Sequence, residues 1–329
     1  MKRDKKVILV TGGAGFIGSH LSERLLKEGY KVICLDNFNN FYNPKIKEDN
    51  IKEIKDNSEF ILIRGDILDK KLLEKIFSEN QISKIIHLAA IPGVRQSFLS
   101  PEHYIDVDIK GTVNFLEMAK KYKIPHFIFG SSSTVYGQDS KVPFHEEEKD
   151  LNPISPYGTS KLTAEKFCQT YSKLYRIPIT ILRYFAVFGP RQRPELAIHK
   201  FTRLMKQGKP LPKFGSGQSA RDYTFIDDII EGTMKAIEKT FDFEIFNLGN
   251  SKPVKLEGLI EILSKRLGIK PKIDELSDQL GDVPITHADI SKGKKFLDWE
   301  PETSLEEGID KFLAWYKEKE EFLNNLKSD

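Results

Sequence analysis

The sequence predicts a doubly wound parallel α/β sheet followed by a smaller, mixed α/β C-terminal domain. Three observations predict it. Short apolar runs without polar alternation recur through the first half of the chain, as in strands covered on both faces. Helical patterns separate these runs, which is the alternation of a parallel sheet. Small, acidic or hydroxyl residues follow the runs, at Gly12, Asp36, Asp66, Ala89 and Ser132. The carboxyl ends of the strands are where such a sheet binds ligands.

Taken in order, Val7–Val10 reads as the first strand and Phe16–Glu28 as a helix with Gly29 as its stop signal. Strands follow at Lys31–Leu35 and Phe60–Arg64, a helix at Lys70–Phe77, and a strand at Lys84–Leu88. Pro101–Tyr122 reads as one long helix, His126–Phe129 as a strand, Tyr157–Tyr175 as a helix and Ile179–Arg183 as a strand. After Phe188-Gly189-Pro190 the chain becomes rich in Pro, Gly, Lys and Arg. Ser251–Leu267 forms a further unit and Thr303–Leu326 a helical tail. We place the first domain at 1–185, with returning segments near 224–248, and the second mainly at 186–329.

Composition excludes more than it assigns. The 329 residues are 39% hydrophobic and 30% charged, ordinary for a globular protein. With 51 basic and 48 acidic residues the net charge is +3, no general argument for nucleic acid or a membrane surface. Cys34 and Cys168 form no framework, which fits a reducing compartment. The apolar run before Thr11 is too short for a signal peptide, and the expected location is the cytoplasm. The histidines have no metal-ligand spacing, so no metal site is expected, and His87 reads as a core histidine.

Gly12, Gly15 and Gly18 stand between a strand and a helix. Gly12 and Gly13 permit a tight turn, Gly15 lets the backbone approach a pyrophosphate, and Gly18 lets the helix pack closely. The pyrophosphate would rest on the positive end of that helix. Asp36, after the second strand, would accept both ribose hydroxyls and repel a 2′-phosphate, which selects NAD over NADP. This is the signature of a Rossmann dinucleotide site. Asp66 reads either as a contact to the adenine amino group or as an Asx turn.

Tyr157 and Lys161 lie four residues apart, on one helix face. A nearby ammonium favours phenolate and makes the tyrosine a usable base. Ser132, after a strand on the same sheet edge, would hydrogen-bond the reacting oxygen.

Together these residues resemble the extended short-chain dehydrogenase/reductases, and within them the nucleotide-sugar 4-epimerases. The matching stretches are TGGAGFIGSHL at 11–21, HLAAIPGVRQS at 87–97, SSSTVYG at 131–137, PYGTSKLTAE at 156–165, RYFAVFGPRQRPE at 183–195 and RDYTFIDD at 221–228. The resemblance implies NAD held by Gly12, Gly15, Phe16, Ile17, Gly18, Asp36, Asn37, Asp66, Ile67, Leu88, Ala89, Ala90, Tyr157 and Lys161. It implies Ser132, Tyr157 and Lys161 as the catalytic set. Dehydratases of this family carry an Asp-Glu pair where Ser133 and Thr134 stand here.

On the substrate side, the resemblance gives the diphosphate to Arg221, the uridine ribose to Asp282, the uracil to Lys200 and Phe201, and a phosphate contact to Arg95. Ser133 lies beside the sugar. Arg193 resembles the arginine that meets the C6 carboxylate in UDP-glucuronate 4-epimerases. Ala186 and Thr286 speak instead for an open pocket that takes UDP-GlcNAc or UDP-glucose, and this is the leading expectation. UDP-glucuronate is the alternative, and a non-catalytic NAD-binding sensor or scaffold is the alternative of another class. The family pairs the helices at 101–122 and 157–175 across a homodimer. Asp108 departs from the asparagine common among relatives.

Overall fold

The computed structural model describes residues 6–277 and 279–326. Seven parallel strands form the central sheet: β1 (Val7–Thr11), β2 (Lys31–Asp36), β3 (Phe60–Arg64), β4 (Ile82–His87), β5 (Phe127–Ser132), β6 (Ile179–Tyr184) and β7 (Phe243–Leu248). Their order is β7-β6-β5-β4-β1-β2-β3. Both edges of β1 are therefore paired, and the chain reverses direction between β1 and β4. A crevice opens at the carboxyl ends of the strands at such a reversal. Register puts the strand ends level: Thr11 pairs with Leu35 and with His87, and Ser132 with Tyr184.

The apolar runs form strands because both faces are covered. Ile8, Leu9 and Val10 are fully buried, and two hydrophobic clusters lie on opposite sides, one taking Ile8 and Val10 and the other Leu9. Observed bounds differ from the sequence reading by at most three residues per strand end, and Phe60–Arg64 coincides at both ends. The first helix runs Phe16–Lys27. The catalytic-helix candidate runs Pro156–Tyr175; Pro156 opens it and Ser155 caps it, accepting the Gly158 N–H at 3.1 Å.

One element differs in kind. The reading of Pro101–Tyr122 as a continuous helix gives way to a short turn at Pro101–Tyr104, a π-helical turn at Ile105–Lys110 and an α-helix at Gly111–Lys121. An extra residue per turn does not change apolar periodicity enough to show in sequence. It carries Asp108 into the interior, 1% exposed.

Beyond β6 the chain builds three two-stranded sheets, and the strand Phe243–Leu248 returns to pair with β6. Two of the three acidic residues of RDYTFIDD, Asp222 and Asp228, act as backbone anchors here. The Asp222 carboxylate accepts the N–H groups of Asn250, Ser251 and Ala288 at 2.9–3.0 Å, and its own N–H donates to Thr286 Oγ1. Asp228 accepts from the N–H groups of Glu302 and Thr303. Arg221, Tyr223 and Thr286 are thereby fixed at one rim of the crevice. Ser304 and Glu307 form a reciprocal capping box that starts the helix Leu305–Asn325.

Candidate active site

A cavity of about 530 Å³ occupies the crevice between β1 and β4 and continues toward the C-terminal part. At its floor Gly12 has φ +66°, and a Cβ there would lie 2.9 Å from Ala89 N. Gly15 faces open space apart from the Gly12 carbonyl. A Cβ on Gly18 would meet Gly13 Cα at 2.7 Å and the Gly12 carbonyl closer still. So Gly12 and Gly18 are needed by the turn, and Gly15 leaves room for a ligand. Helix Phe16–Lys27 has no side-chain cap and no acid in its first turn, which leaves its N–H groups available to an anion.

Two threonines and a histidine brace the turn. Thr11 Oγ1 accepts the N–H groups of Leu88 and Ala89, so its proton goes to His87 Nδ1 at 2.8 Å. His87 Nε2–H then donates to Thr112 Oγ1 at 3.2 Å, and Thr112 donates to the Asp108 carbonyl. His87 is fully buried and neutral; burial lowers its pKa to about 3. It is a core histidine, as its strand position implied.

The cofactor expectations fall mostly in one place. Gly12, Gly15, Phe16, Ile17, Gly18, Asp36 and Asn37 line the cavity, as do Ile67, Leu88, Ala89 and Ala90. Asp36 is 4% exposed and accepts from Ala14 N–H, Phe38 N–H and Lys47 Nζ, the last at 2.9 Å. Sequence reading missed Lys47, because its position depends on how the helix Pro44–Asn50 folds back over the end of β2. Asp66 itself does not line the cavity, although Gly65, Ile67 and Asn37 do; its Oδ1 accepts the Leu68 N–H in an Asx turn and its Oδ2 accepts from the Asn37 side chain.

Ser132, Tyr157 and Lys161 converge on the same cavity. Thr134 Oγ1 donates to Ser132 Oγ at 3.0 Å, and the Thr134 N–H points to the same oxygen. Ser132 therefore keeps its own proton to donate outward. Lys161 is 4% exposed, its Nζ donates to the Gly130 carbonyl at 3.0 Å, and it sits 5.0 Å over the Phe129 ring. Behind it, Arg183 and Glu165 form a bidentate buried pair that also takes the Ser131 hydroxyl.

Ser133, Ala186, Arg193, Arg221, Asp282 and Thr286 line the opposite part of the cavity. Arg221 and Asp282 pair with each other. An incoming diphosphate would compete with Asp282 for that guanidinium. Three expectations are not met by direct lining. Phe201 is buried in the main core, on the inner face of the helix Ala197–Lys206. Arg95 lies 4.8 Å over the Phe214 ring. Lys200 sits near Arg95, and burial plus that neighbouring charge lower the Lys200 pKa. Both are cations beside the cavity rather than in its wall.

Arg193 is held from both sides. Arg191, with φ +64°, pairs with Glu23 and contacts Ser19, and His20 Nε2 reaches the Pro190 carbonyl. Gln192 O is met by His199 Nδ1. Arg193 Nε pairs with Glu195 at 3.2 Å, while its buried Nη1 has no hydrogen-bond partner among the described residues.

The family described as GDP-mannose 4,6 dehydratase matches residues 9–312. The chain is 42% identical to the UDP-glucuronate 4-epimerase of Thermodesulfobacterium geofontis, over 97% of this chain and 98% of that protein. It belongs to the extended short-chain dehydrogenase/reductase family. Among solved members, UDP-glucuronic acid 4-epimerase from Bacillus cereus, in complex with UDP-glucuronic acid and NAD, superposes with a TM-score of 0.89. It is 40% identical over 95% of this chain and 99% of that one. UDP-glucose 4-epimerase from Thermotoga maritima, with UDP-glucose, gives a TM-score of 0.88 at 34% identity, over 95% and 99% of the two chains. Within this family the Ser133-Thr134 pair leaves the present chain without an acid at either position to eliminate water. No helix of the described residues is long and apolar enough to cross a membrane.

Proposed function

We propose that this chain is an NAD-dependent UDP-sugar 4-epimerase and that its sugar is UDP-glucuronate. The observation that carries the choice of sugar is Arg193: a cavity-lining guanidinium whose buried Nη1 is unpartnered. A buried donor left unpaired costs free energy, and a sugar carboxylate is the group that best satisfies a planar guanidinium. Similarity to UDP-glucuronate 4-epimerases supports the same reading. This moves the weight away from UDP-GlcNAc and UDP-glucose, which Ala186 and Thr286 favour. Thr286 leaves room, but its hydroxyl already accepts the Asp222 N–H.

NAD, when bound, supplies reversible hydride acceptance. Gly12, Gly15 and the first turn of the helix Phe16–Lys27 would hold its pyrophosphate, and Asp36 its adenosine ribose. Tyr157 takes the proton of the sugar 4-hydroxyl, and Lys161 stabilises the phenolate. Ser132 donates its free proton to the same sugar oxygen. Arg221, released from Asp282, holds the diphosphate while the sugar turns its other face, and Arg193 keeps the carboxylate. Tyr157 then returns the proton to the 4-oxygen as the centre is restored in the inverted configuration.

Purified protein incubated separately with UDP-glucuronate, UDP-glucose and UDP-GlcNAc, with products resolved by chromatography, tests the sugar. UDP-galacturonate should form fastest; faster epimerisation of either neutral sugar refutes the choice. Tyr157→Phe should lose most turnover yet keep bound NAD, and unchanged turnover removes Tyr157 from this role. The exposed apolar residues Ile105, Phe167 and Leu174 on the paired helices support a homodimer, which sedimentation velocity would test.

A further inference from the structure

Asp108 stands on the π-helical turn between the loop after β4 and the catalytic helix. Its Oδ1 accepts the Ile91 N–H at 2.8 Å. Its Oδ2 lies 3.0 Å from Ser160 Oγ. Ser160 Oγ lies in turn 2.8 Å from the carbonyl oxygen of Tyr157. A hydroxyl has one proton to give. Facing a carboxylate and a carbonyl, Ser160 would satisfy one and leave the other as a bare oxygen–oxygen contact. A second proton, on Asp108 Oδ2, resolves both. Oδ2–H then donates to Ser160 Oγ, and Ser160 Oγ–H donates to the Tyr157 carbonyl.

The surroundings agree. Asp108 is 1% exposed, and no ion pair reaches it among the described residues. The charged and titratable groups that face it are Lys161 from the catalytic helix, and His103 and Tyr104 from the turn before it. Lys161 spends a bond on the Gly130 carbonyl instead. Burial pushes the Asp108 carboxyl up, against the opposing pull of Lys161 and the two hydrogen bonds. A carboxyl in such a place neutralises rather than remaining a buried, unpaired charge, and as an acid it can serve as a donor.

We propose that Asp108 is a positioning residue that works as a neutral carboxylic acid, tying the Leu88–Ile91 cofactor loop to the Tyr157-Ser160-Lys161 turn. Being neutral, it leaves the Lys161 charge undiluted beside Tyr157. Its role toward Tyr157 rests on the function proposed above; the proton on Asp108 does not.

The test uses the holoenzyme. Asp108→Asn keeps one acceptor for Ile91 and one donor for Ser160 but cannot ionise. Asp108→Leu keeps the bulk and loses both. Infrared difference spectra of wild type minus Asp108→Asn at neutral pH should show a protonated-carboxyl stretching band; the subtraction cancels other buried acids such as Glu146 and Asp222. Turnover should fall at least about tenfold in Asp108→Leu and be restored to within about threefold of wild type by asparagine. The acid limb of kcat/KM against pH should coincide for wild type and Asp108→Asn. A missing band overturns the neutral acid. So does an acid limb moved about half a pH unit or more toward acid in Asp108→Asn, because removing an anion there would favour phenolate. Full activity in Asp108→Leu overturns the positioning role. If Asp108→Leu does not fold, the band and the asparagine pH profile still decide. If Tyr157→Phe were active, the function would fail while the band remained.

Discussion

Replacing Arg193 with methionine keeps most of the aliphatic stem and removes the charge. In the structure this guanidinium is 17% exposed, with Nε on Glu195 and Nη1 buried and unpartnered. A hydrogen bond to a charged group contributes about 1.5–3 kcal/mol, and a unit charge pair about 4 Å apart gains about 4 kcal/mol at an effective dielectric of 20. The two figures describe the same contact and do not add. A loss of about 3–4 kcal/mol for UDP-glucuronate follows, or roughly 10²- to 10³-fold in kcat/KM. UDP-glucose carries no charge at C6, so its kcat/KM should change by less than about threefold. Initial rates for both sugars, with products separated chromatographically, give the two ratios side by side. Equal falls for the two sugars would show that Arg193 supports the loop rather than the carboxylate. No fall for UDP-glucuronate would refute the assignment outright.

Three further outcomes follow from the geometry. Gly18→Ala places a Cβ against the backbone of Gly12 and Gly13, so the purified variant should retain much less NAD, read from absorbance of the denatured supernatant; full retention would show that the turn can relax. Arg183→Met strands Glu165, 3% exposed, without its partner, and should cost about 3–5 kcal/mol in urea unfolding; a cost below about 1 kcal/mol would contradict the burial of the pair. His87 is neutral in the fold, with a pKa of about 3, whereas the unfolded chain binds its proton near pH 6.5. Its folded pKa is depressed, so its contribution is present above about pH 6.5 and is lost as pH falls toward 3, at up to about 1.4 kcal/mol per pH unit. His87→Asn should therefore flatten the fall in stability between about pH 6.5 and pH 4, and an unchanged slope would rule the histidine out.

The alternation of buried runs with helical patterns made the sheet legible, because both faces of a parallel strand must be apolar. The glycine turn was legible for a similar reason. Gly12 and Gly18 occupy places where a Cβ meets backbone, and only one residue type avoids that. Asp66 was ambiguous because an Asx turn and an adenine contact ask for the same residue at the same strand end. Lys47, which reaches Asp36 from the short helix Pro44–Asn50, carried no signal in any motif.

The sequence by itself determined the strand–helix alternation of the cofactor half, the dinucleotide turn and the spacing of Tyr157 and Lys161, since each is local and periodic. Only the tertiary structure decided what the isolated residues do. It buried Asp108 by inserting a π turn, turned Asp222 and Asp228 into backbone anchors, and left Arg193 Nη1 unpaired in a shared cavity. Those outcomes depend on which distant groups come within hydrogen-bond reach, and a linear pattern does not encode that.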